Sequence, residues 1–289
     1  MTHIIYQTPP LQKRFSAAVE NPRLKPIYFE IAQRLCERLE DTKRTYATAL
    51  DLGTGFGSIA RSFPEAKKPQ ILAALDFSHT ALKAAKGYDL YIEANAETPL
   101  PFAPKTFDLV VSNMLLPWVN NPQRVLAQAG QALKEDGLLL ATTLGDQTFY
   151  EFQHVFEALG TPFAHINPLP DVQTVGSILQ KVGFALPVID RDILTLEYTH
   201  FADMLADLKA VGPTNLHPDR KRGLTTKAFW QKVEAEYRNQ FKTPKSKLPL
   251  TLEVIYLHGW RPHHSQQKPL PRGSAKVDLS AVLNKIKEN

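Results

Sequence analysis

Residues 47–57 read Ala-Thr-Ala-Leu-Asp-Leu-Gly-Thr-Gly-Phe-Gly, and this stretch decides the fold. A short apolar run ends in Asp51, and glycines then occupy alternate positions at Gly53, Gly55 and Gly57 before a helical pattern begins. A strand, a glycine turn and a helix in this order form the context in which glycines indicate a nucleotide site. Because glycine has no Cβ, such a turn lets the backbone approach a ligand closely.

The spacing of these glycines separates two classes of nucleotide site. A dinucleotide fingerprint has the spacing G-x-G-x-x-G, with a helix N-terminus facing a pyrophosphate. Here the spacing is G-x-G-x-G after an acid, which resembles the D-x-G-x-G pattern of class I S-adenosylmethionine-dependent methyltransferases. The resemblance implies S-adenosyl-L-methionine as cofactor, with Asp51 as the partner of its positive sulfonium or ammonium group. The alternative is an ordinary glycine-rich turn.

A second acid follows the next apolar run. Residues 71–75 are apolar and lead into Asp76 and Phe77, ahead of a helical stretch over 79–86. A carboxylate at the end of a second strand can accept both hydroxyls of a ribose. The offset from Asp51 is 76 − 51 = 25 residues, close to the value of about 20 expected for such an acid. Asp76 is also a candidate N-cap of the following helix, and both roles are compatible.

Apolar runs and helical patterns alternate along most of the chain. Further strands are predicted at 71–75, 88–93, 107–112 and 138–143, with a strand or hairpin at 184–196. Helices are predicted from residue 58 and at 79–86, 122–133, 146–159 and 171–182. This alternation implies a parallel sheet with right-handed crossovers, whose ligands bind at the carboxyl ends of the strands. The sequence therefore predicts an α/β, Rossmann-like fold.

The predicted sheet has additions before, within and after it. Residues 1–45 are expected to form a helical cap over the cofactor, and residues 46–198 the Rossmann-like core. Residues 199–245 carry two apolar helical stripes, which are typical of core packing and which we expect to form a substrate lid. Residues 246–260 supply a last, antiparallel strand at the sheet edge, and 261–289 a flexible tail.

Composition bounds the class of protein. The chain has 289 residues, of which 43% are hydrophobic, and no apolar run approaches the roughly 18 residues that span a bilayer. The N-terminus lacks a basic start and an apolar signal core, so we expect a soluble, cytoplasmic protein without membrane partners. A single cysteine, Cys36, excludes an intrachain disulfide and is expected to be a buried structural thiol. The histidines show no metal-ligand spacing, so no metal site is predicted.

The loops after the third and fourth strands are expected to complete the cofactor site. In methyltransferases of this class an acid after the third strand usually accepts a hydrogen bond from the adenine amino group. This chain has Asn95 there, followed by Ala96, and an amide carbonyl can accept the same bond. Asn113 and Met114 follow the fourth strand. The Asn-Pro-Pro-aromatic signature of amino-directed nucleic-acid methyltransferases is missing there, so no nucleic-acid partner is predicted.

Later segments resemble one family, the malonyl-acyl-carrier-protein O-methyltransferases of biotin synthesis. The matching segments are 50–55, 107–118, 143–149, 207–212, 222–225 and 250–260. The resemblance implies methyl transfer from S-adenosyl-L-methionine to the free carboxylate of a malonyl thioester on acyl carrier protein or coenzyme A. The tail is similar to that of related complex I assembly factors, for which the implied reaction is hydroxylation of an arginine on a partner subunit. That reaction is the alternative.

The implied reaction needs no general base, because a carboxylate is already an anion at neutral pH. We therefore predict no catalytic side chain, and expect the enzyme to act by orientation and desolvation. The candidate cations for the malonyl carboxylate are Lys209, Arg220 and Arg222, for which solvated surface charge is the alternative. The net charge of +5, with much of the excess after residue 200, suits docking of an acidic carrier protein.

Overall fold

The computed structural model describes residues 15, 23, 25–161, 165–210, 220, 223 and 225–266. Its strands are β1 Thr48–Leu52, β2 Ile71–Asp76, β3 Leu90–Glu93, β4 Phe107–Ser112, β5 Leu133–Leu144, β6 Ala185–Tyr198 and β7 Leu248–Trp260. Its helices are α1 Lys25–Glu37, α2 Ile59–Ser62, α3 His79–Ala84, α4 Pro122–Ala132, α5 Tyr150–Ala158, α6 Val172–Val182, α7 Phe201–Ala210 and α8 Lys227–Phe241, with short 3-10 turns at Glu65–Lys67 and Leu116–Trp118.

The seven strands form one sheet in the order β3-β2-β1-β4-β5-β7-β6. Strands β1 to β5 pair in parallel, whereas β7 runs antiparallel to both of its neighbours. The predicted α/β, Rossmann-like fold is therefore confirmed. The carboxyl ends of β1, β2, β3 and β4 lie side by side, which places the loops that follow them at one edge of the sheet.

The predicted edge position of the last strand is wrong. Strand β7 lies between β5 and β6, and β6 forms the edge. Almost every residue of β7 is buried, whereas residues of β6 are half-buried or exposed throughout. An unbroken apolar run is typical of a strand covered on both faces, and the alternation of β6 is typical of an edge. The sequence carried this signal, but the resemblance to methyltransferases of this class implied the last strand at the edge.

Several local boundaries also differ from the predictions. The helix after the glycine turn is short, because α2 ends at Ser62 and the extended backbone of Phe63 follows it. Strand β5 begins at Leu133 rather than at the predicted residue 138, and Asp136 within it has a φ of 62°. The segment predicted as a strand or a hairpin is the single strand β6. The predicted helical cap is described from α1 onward and at Phe15, and the tail beyond Gln266 lies outside the described residues.

Two apolar cores cover the faces of the sheet, and a third joins the C-terminal helices to it. On one face α1 packs against the sheet, and Cys36 is fully buried there as predicted. Burial raises the pKa of its thiol. On the other face α4 and α6 cover the strands. Helices α7 and α8 pack with α5 through Phe152, Met204 and Tyr237. Among the described residues, no helix is long and apolar enough to cross a membrane.

Candidate functional site

A cleft of about 730 Å³ opens where the loops after β1 to β4 converge. The predicted site residues that line it are Gly53, Gly55, Asp76, Phe77, Asn95, Ala96, Asn113 and Met114. These residues come from four separate loops, and the parallel sheet brings them together. Asp51 and Gly57 are not among the described lining residues.

The glycine turn approaches the next loop more closely than any other residue would allow. Gly53 has a φ of +80°, and a Cβ placed on it would lie 2.8 Å from the Cβ of Leu115. The N–H groups of Gly53 and Thr54 both donate to the carbonyl of Leu75, at 2.8 and 3.1 Å. The turn is thus held against the end of β2, and the absence of side chains keeps the cleft open.

Asp76 lines the cleft at the end of β2. Its side chain is 2% exposed, Oδ2 accepts from the N–H of Gly55 at 2.9 Å, and Oδ1 accepts from the N–H of Ser78 at 2.8 Å. Burial raises its pKa to about 6, and these backbone donors oppose the shift. Each carboxylate oxygen accepts more than one hydrogen bond, so both can still receive a ribose hydroxyl.

The N-cap role considered for Asp76 is filled by Ser78. The hydroxyl oxygen of Ser78 accepts from the N–H of Ala81 at 3.3 Å, and Ser78 is the N-cap of α3. Asp76 fixes the backbone of this cap by accepting from the N–H of Ser78. Its remaining acceptor capacity is directed at the cleft that it lines.

Asp51 lies behind the glycine turn and is completely buried. The hydroxyl of Tyr88 donates to its Oδ2 at 2.5 Å, and its Oδ1 has no hydrogen-bond partner. Burial raises the pKa of Asp51 to about 7; the Tyr88 hydroxyl lowers it and the nearby Asp76 carboxylate raises it. Direct contact between Asp51 and a cationic cofactor stays a prediction, and this placement favours a supporting role.

Gly57 also faces the protein interior. Its φ is +69°, and a Cβ there would lie 2.9 Å from both Cα and Cβ of Ala85, just after α3. The third glycine therefore lets α2 and α3 approach each other. Its predicted contact with the cofactor remains without support from the lining of the cleft.

The loop after β3 presents Asn95 and Ala96 to the cleft. The side-chain carbonyl of Asn95 accepts from the N–H of Glu97 at 2.9 Å, which leaves this oxygen one further acceptor position. Glu97 also lines the cleft, and its Oε1 accepts from the N–H groups of Asn120 and Asn121 at 2.9 and 3.0 Å. Glu97 thus ties this loop to the start of α4, a role that sequence analysis missed.

Asn113 joins three segments around the cleft. Its Nδ2 donates to the carbonyl of Tyr28 at 3.0 Å and to the hydroxyl of Ser58 at 3.1 Å. Its Oδ1 accepts from the hydroxyl of Thr142 at 2.9 Å, and the same hydroxyl accepts from the N–H of Met114 at 2.8 Å. The amide of Asn113 therefore holds the site together, and its predicted contact with the cofactor stays a prediction.

Aromatic side chains that sequence analysis did not select cover the cleft. They are Phe15, Tyr28, Phe56 and Trp118. The rings of Tyr28 and Phe56 lie 4.5 Å apart, and Phe15 lies 5.7 Å from Phe77. Burial raises the pKa of Tyr28 to about 12. For Phe15 and Tyr28 the sequence signal was the expectation that N-terminal helices cover the cofactor.

The two predicted substrate cations that the structure describes, Lys209 and Arg220, do not line this cleft. Lys209 is exposed near the end of α7, and neither it nor Arg220 is among the described lining residues. Arg222 lies outside the described residues. Their role therefore stays a prediction. In the part of the chain that the structure describes, no group of His, Cys, Asp or Glu side chains could hold a metal ion.

Comparison with known proteins identifies the family. Residues 50–141 match a profile described as a methyltransferase domain. The chain is 32% identical to malonyl-[acyl-carrier protein] O-methyltransferase of Laribacter hongkongensis, over 91% of this chain and 92% of that protein. It is 31% identical to the mitochondrial arginine-hydroxylase NDUFAF5 of Danio rerio, over 94% of this chain and 86% of that protein. The chain belongs to this methyltransferase family.

The fold agrees with that assignment. A putative methyltransferase (BH2331) from Bacillus halodurans superposes with a TM-score of 0.57 at 19% identity, covering 81% of this chain and 100% of that chain. S-adenosyl-L-methionine is the methyl donor of the protein, and the cleft fits it. Glycines leave room beside the sheet, Asp76 offers acceptors to a ribose, and apolar and aromatic side chains line the remainder.

Proposed function

We propose that this protein transfers the methyl group of S-adenosyl-L-methionine to the free carboxylate of a malonyl thioester on acyl carrier protein or coenzyme A. The cleft carries the proposal, because its described residues supply hydrogen-bond acceptors and apolar walls for the donor. The Laribacter hongkongensis relative named for this reaction matches along more than nine tenths of either chain. A cytoplasmic location is part of the proposal.

Orientation by the chain's own residues accounts for the donor half of the reaction. Asp76 would hold the ribose, and Asn95 and Ala96 would face the base. S-adenosyl-L-methionine supplies an electrophilic methyl group on a positively charged sulfur. The protein must then keep the acceptor oxygen in line with that methyl group, which is worth several orders of magnitude in rate.

Desolvation accounts for the acceptor half. A malonyl carboxylate is ionised at neutral pH, so its reactivity is limited by its hydration rather than by a proton. Tyr28, Phe56 and Trp118 present aromatic surface to the cleft and exclude water from it. In this proposal residues 199–245 act as a substrate lid, and Lys209, Arg220 and Arg222 contribute the cation that meets the carboxylate.

Mass spectrometry of the acyl carrier tests the proposed function. Purified protein is incubated with S-adenosyl-L-methionine and malonyl-acyl carrier protein, and one added methyl group is expected on the malonyl arm. Acetyl-acyl carrier protein is the matched control, because it has the same thioester without a free carboxylate, and it should remain unchanged. A malonyl carrier of unaltered mass would refute the proposal.

Arginine hydroxylation is the second candidate, since the chain is equally similar to the NDUFAF5 proteins. The Mus musculus protein is 32% identical over 95% of this chain. The same experiment is run with an arginine-containing peptide as acceptor and with dioxygen and a two-electron reductant added, and one added oxygen atom on the peptide, with water as the other product, is the result expected for this alternative. Oxygen on the peptide together with an unaltered malonyl carrier would favour hydroxylation over methyl transfer.

A further inference from the structure

A second groove of about 910 Å³ lies beside the donor cleft. Val119 lines both spaces. The short segment before it separates them, because Leu115 and Trp118 line the cleft while Leu116 and Pro117 line the groove. The two spaces are thus neighbours that share Val119 as part of their walls.

The groove is built from segments distant in sequence. Leu126 comes from α4, Ile178 from α6 and Leu257 from β7, and Leu169 comes from the loop that precedes α6. That loop is fixed at its start, where the ring of His165 stacks on Phe156 with a centroid distance of 4.0 Å. The wall formed by the loop is therefore anchored to α5.

The lining of the groove decides what can enter it. None of its described lining residues carries a charge, and Asn120 and Thr143 are the polar side chains among them. A phosphate or carboxylate would lose part of its hydration there without gaining a counter-ion from the described lining, which is unfavourable. The occupant must therefore be uncharged, with a mostly aliphatic surface and few hydrogen-bonding groups.

We infer that this groove binds the pantetheine arm of the thioester substrate, an inference that rests on the proposed function. The arm between thioester and phosphate is linear and uncharged, with aliphatic segments and two amides, which matches the aliphatic walls and the polar groups of Asn120 and Thr143. The nucleotide of coenzyme A and the acidic carrier protein stay outside, because their charges have no partner among the described lining residues. The thioester end reaches the donor past Val119.

A filled groove tests the inference. Ile178 is half-buried and lines the groove, so Ile178→Trp places an indole in it. Ile193→Trp is the matched control, since Ile193 is 53% exposed on β6 and does not line the groove. We expect Ile178→Trp to raise the KM for malonyl-pantetheine by about tenfold or more, and the control to leave it unchanged.

A truncated substrate distinguishes a specific loss of pantetheine-arm binding from a nonspecific effect of the substitution on the enzyme. Malonyl-N-acetylcysteamine keeps the thioester and lacks most of the arm, so its KM should not change in Ile178→Trp. An equal rise for both substrates, or no rise for either, overturns the inference. Ile178→Glu introduces a charge into the groove without added bulk, and it should also raise the KM for malonyl-pantetheine. An unchanged KM for malonyl-pantetheine in that variant also overturns the inference.

A binding measurement keeps this inference distinct from the proposed function. Protein saturated with S-adenosylhomocysteine has no methyl group to transfer, so calorimetric titration with malonyl-pantetheine reports binding alone. Weaker binding of malonyl-pantetheine by Ile178→Trp than by Ile193→Trp supports the assignment of the groove to the pantetheine arm, even where no methyl transfer is detected. If the wild type transfers methyl groups but the two variants bind malonyl-pantetheine equally, the proposed function is supported and the binding of the pantetheine arm in the groove is refuted.

Discussion

The ends of β1 and β2 have the same sequence pattern, an apolar run closed by an aspartate, but they serve different purposes. Asp76 lines the cleft and accepts hydrogen bonds from backbone N–H groups. Asp51 lies behind the turn, has the Tyr88 hydroxyl as its donor and keeps one oxygen without a partner. Both are buried and both pKa values are raised, so burial alone does not distinguish a carboxylate that lines the cleft from one that lies behind it.

The difference extends to the glycines beside these aspartates. Gly55 donates to Asp76 and lines the cleft, whereas Gly57 packs against Ala85 in the interior. One side of the turn therefore faces the cleft and the other side faces the core. Substitutions on the first side should change affinity for the cofactor, and substitutions on the second side should change stability.

The largest effect is expected for Asp76→Ala. Loss of a charged acceptor for two ribose hydroxyls should weaken binding of S-adenosyl-L-methionine about 100-fold, or about 3 kcal/mol, in calorimetric titrations. Asp89→Ala is the control at the other end of β2, where Oδ2 of Asp89 accepts from the N–H of Leu72 at 2.8 Å, away from the cleft. Undiminished affinity in Asp76→Ala would show that this carboxylate serves only the backbone.

Gly57→Ala should destabilise the fold more than Gly183→Ala. Both glycines have positive φ, at +69° and +89°, but a Cβ at Gly57 meets Ala85 whereas one at Gly183 meets nothing within 4 Å. Backbone strain is common to both variants, so the difference between their free energies of unfolding measures the steric clash with Ala85. We expect this difference to be about 2 kcal/mol. Equal free energies of unfolding in urea would mean that α3 moves aside without cost.

Tyr88→Phe should lower the free energy of unfolding by about 1 kcal/mol, because the buried Asp51 loses its hydrogen-bond donor. Tyr91→Phe is a suitable control, since the Tyr91 side chain is 47% exposed and its hydroxyl donates to the carbonyl of Ala85 at 3.4 Å. Affinity for the cofactor should change little in either variant. A large loss of affinity with unchanged stability in Tyr88→Phe would place Asp51 in the binding site.

The smallest effect is expected in the pH dependence of cofactor binding. The pKa of Asp76 is about 6, and the ionised carboxylate is the better acceptor for ribose hydroxyls. Affinity should therefore fall about fourfold between pH 7.5 and pH 5.5, as the fraction of ionised Asp76 decreases. Asp76→Asn should remove this fall and Asp51→Asn should keep it. If the fall persists in Asp76→Asn and disappears in Asp51→Asn, Asp51 rather than Asp76 is the carboxylate whose ionisation controls binding.

Much of the fold could be predicted because its signals are local. Most parallel strands of the core are apolar runs, and the helices between them have apolar stripes. The type of each secondary-structure element and the order of the elements along the chain therefore followed from periodicity. The position of β7 was missed because strand order depends on which segments pair across the sheet, and β6 and β7 are distant in sequence from β5. The aromatic cover of the cleft was missed for a similar reason, since Phe15, Tyr28 and Trp118 come from separate segments.

The sequence by itself determined a glycine turn between two strands, an aspartate at the end of each, and an α/β fold with its ligands at the carboxyl edge. These properties follow from residue type and spacing along the chain, which set backbone freedom and periodicity. Only the tertiary structure decided that Asp76 faces the cleft and Asp51 the interior, and that a separate uncharged groove adjoins the donor site. The direction of a side chain and the lining of a groove depend on packing between distant segments, which no local pattern encodes.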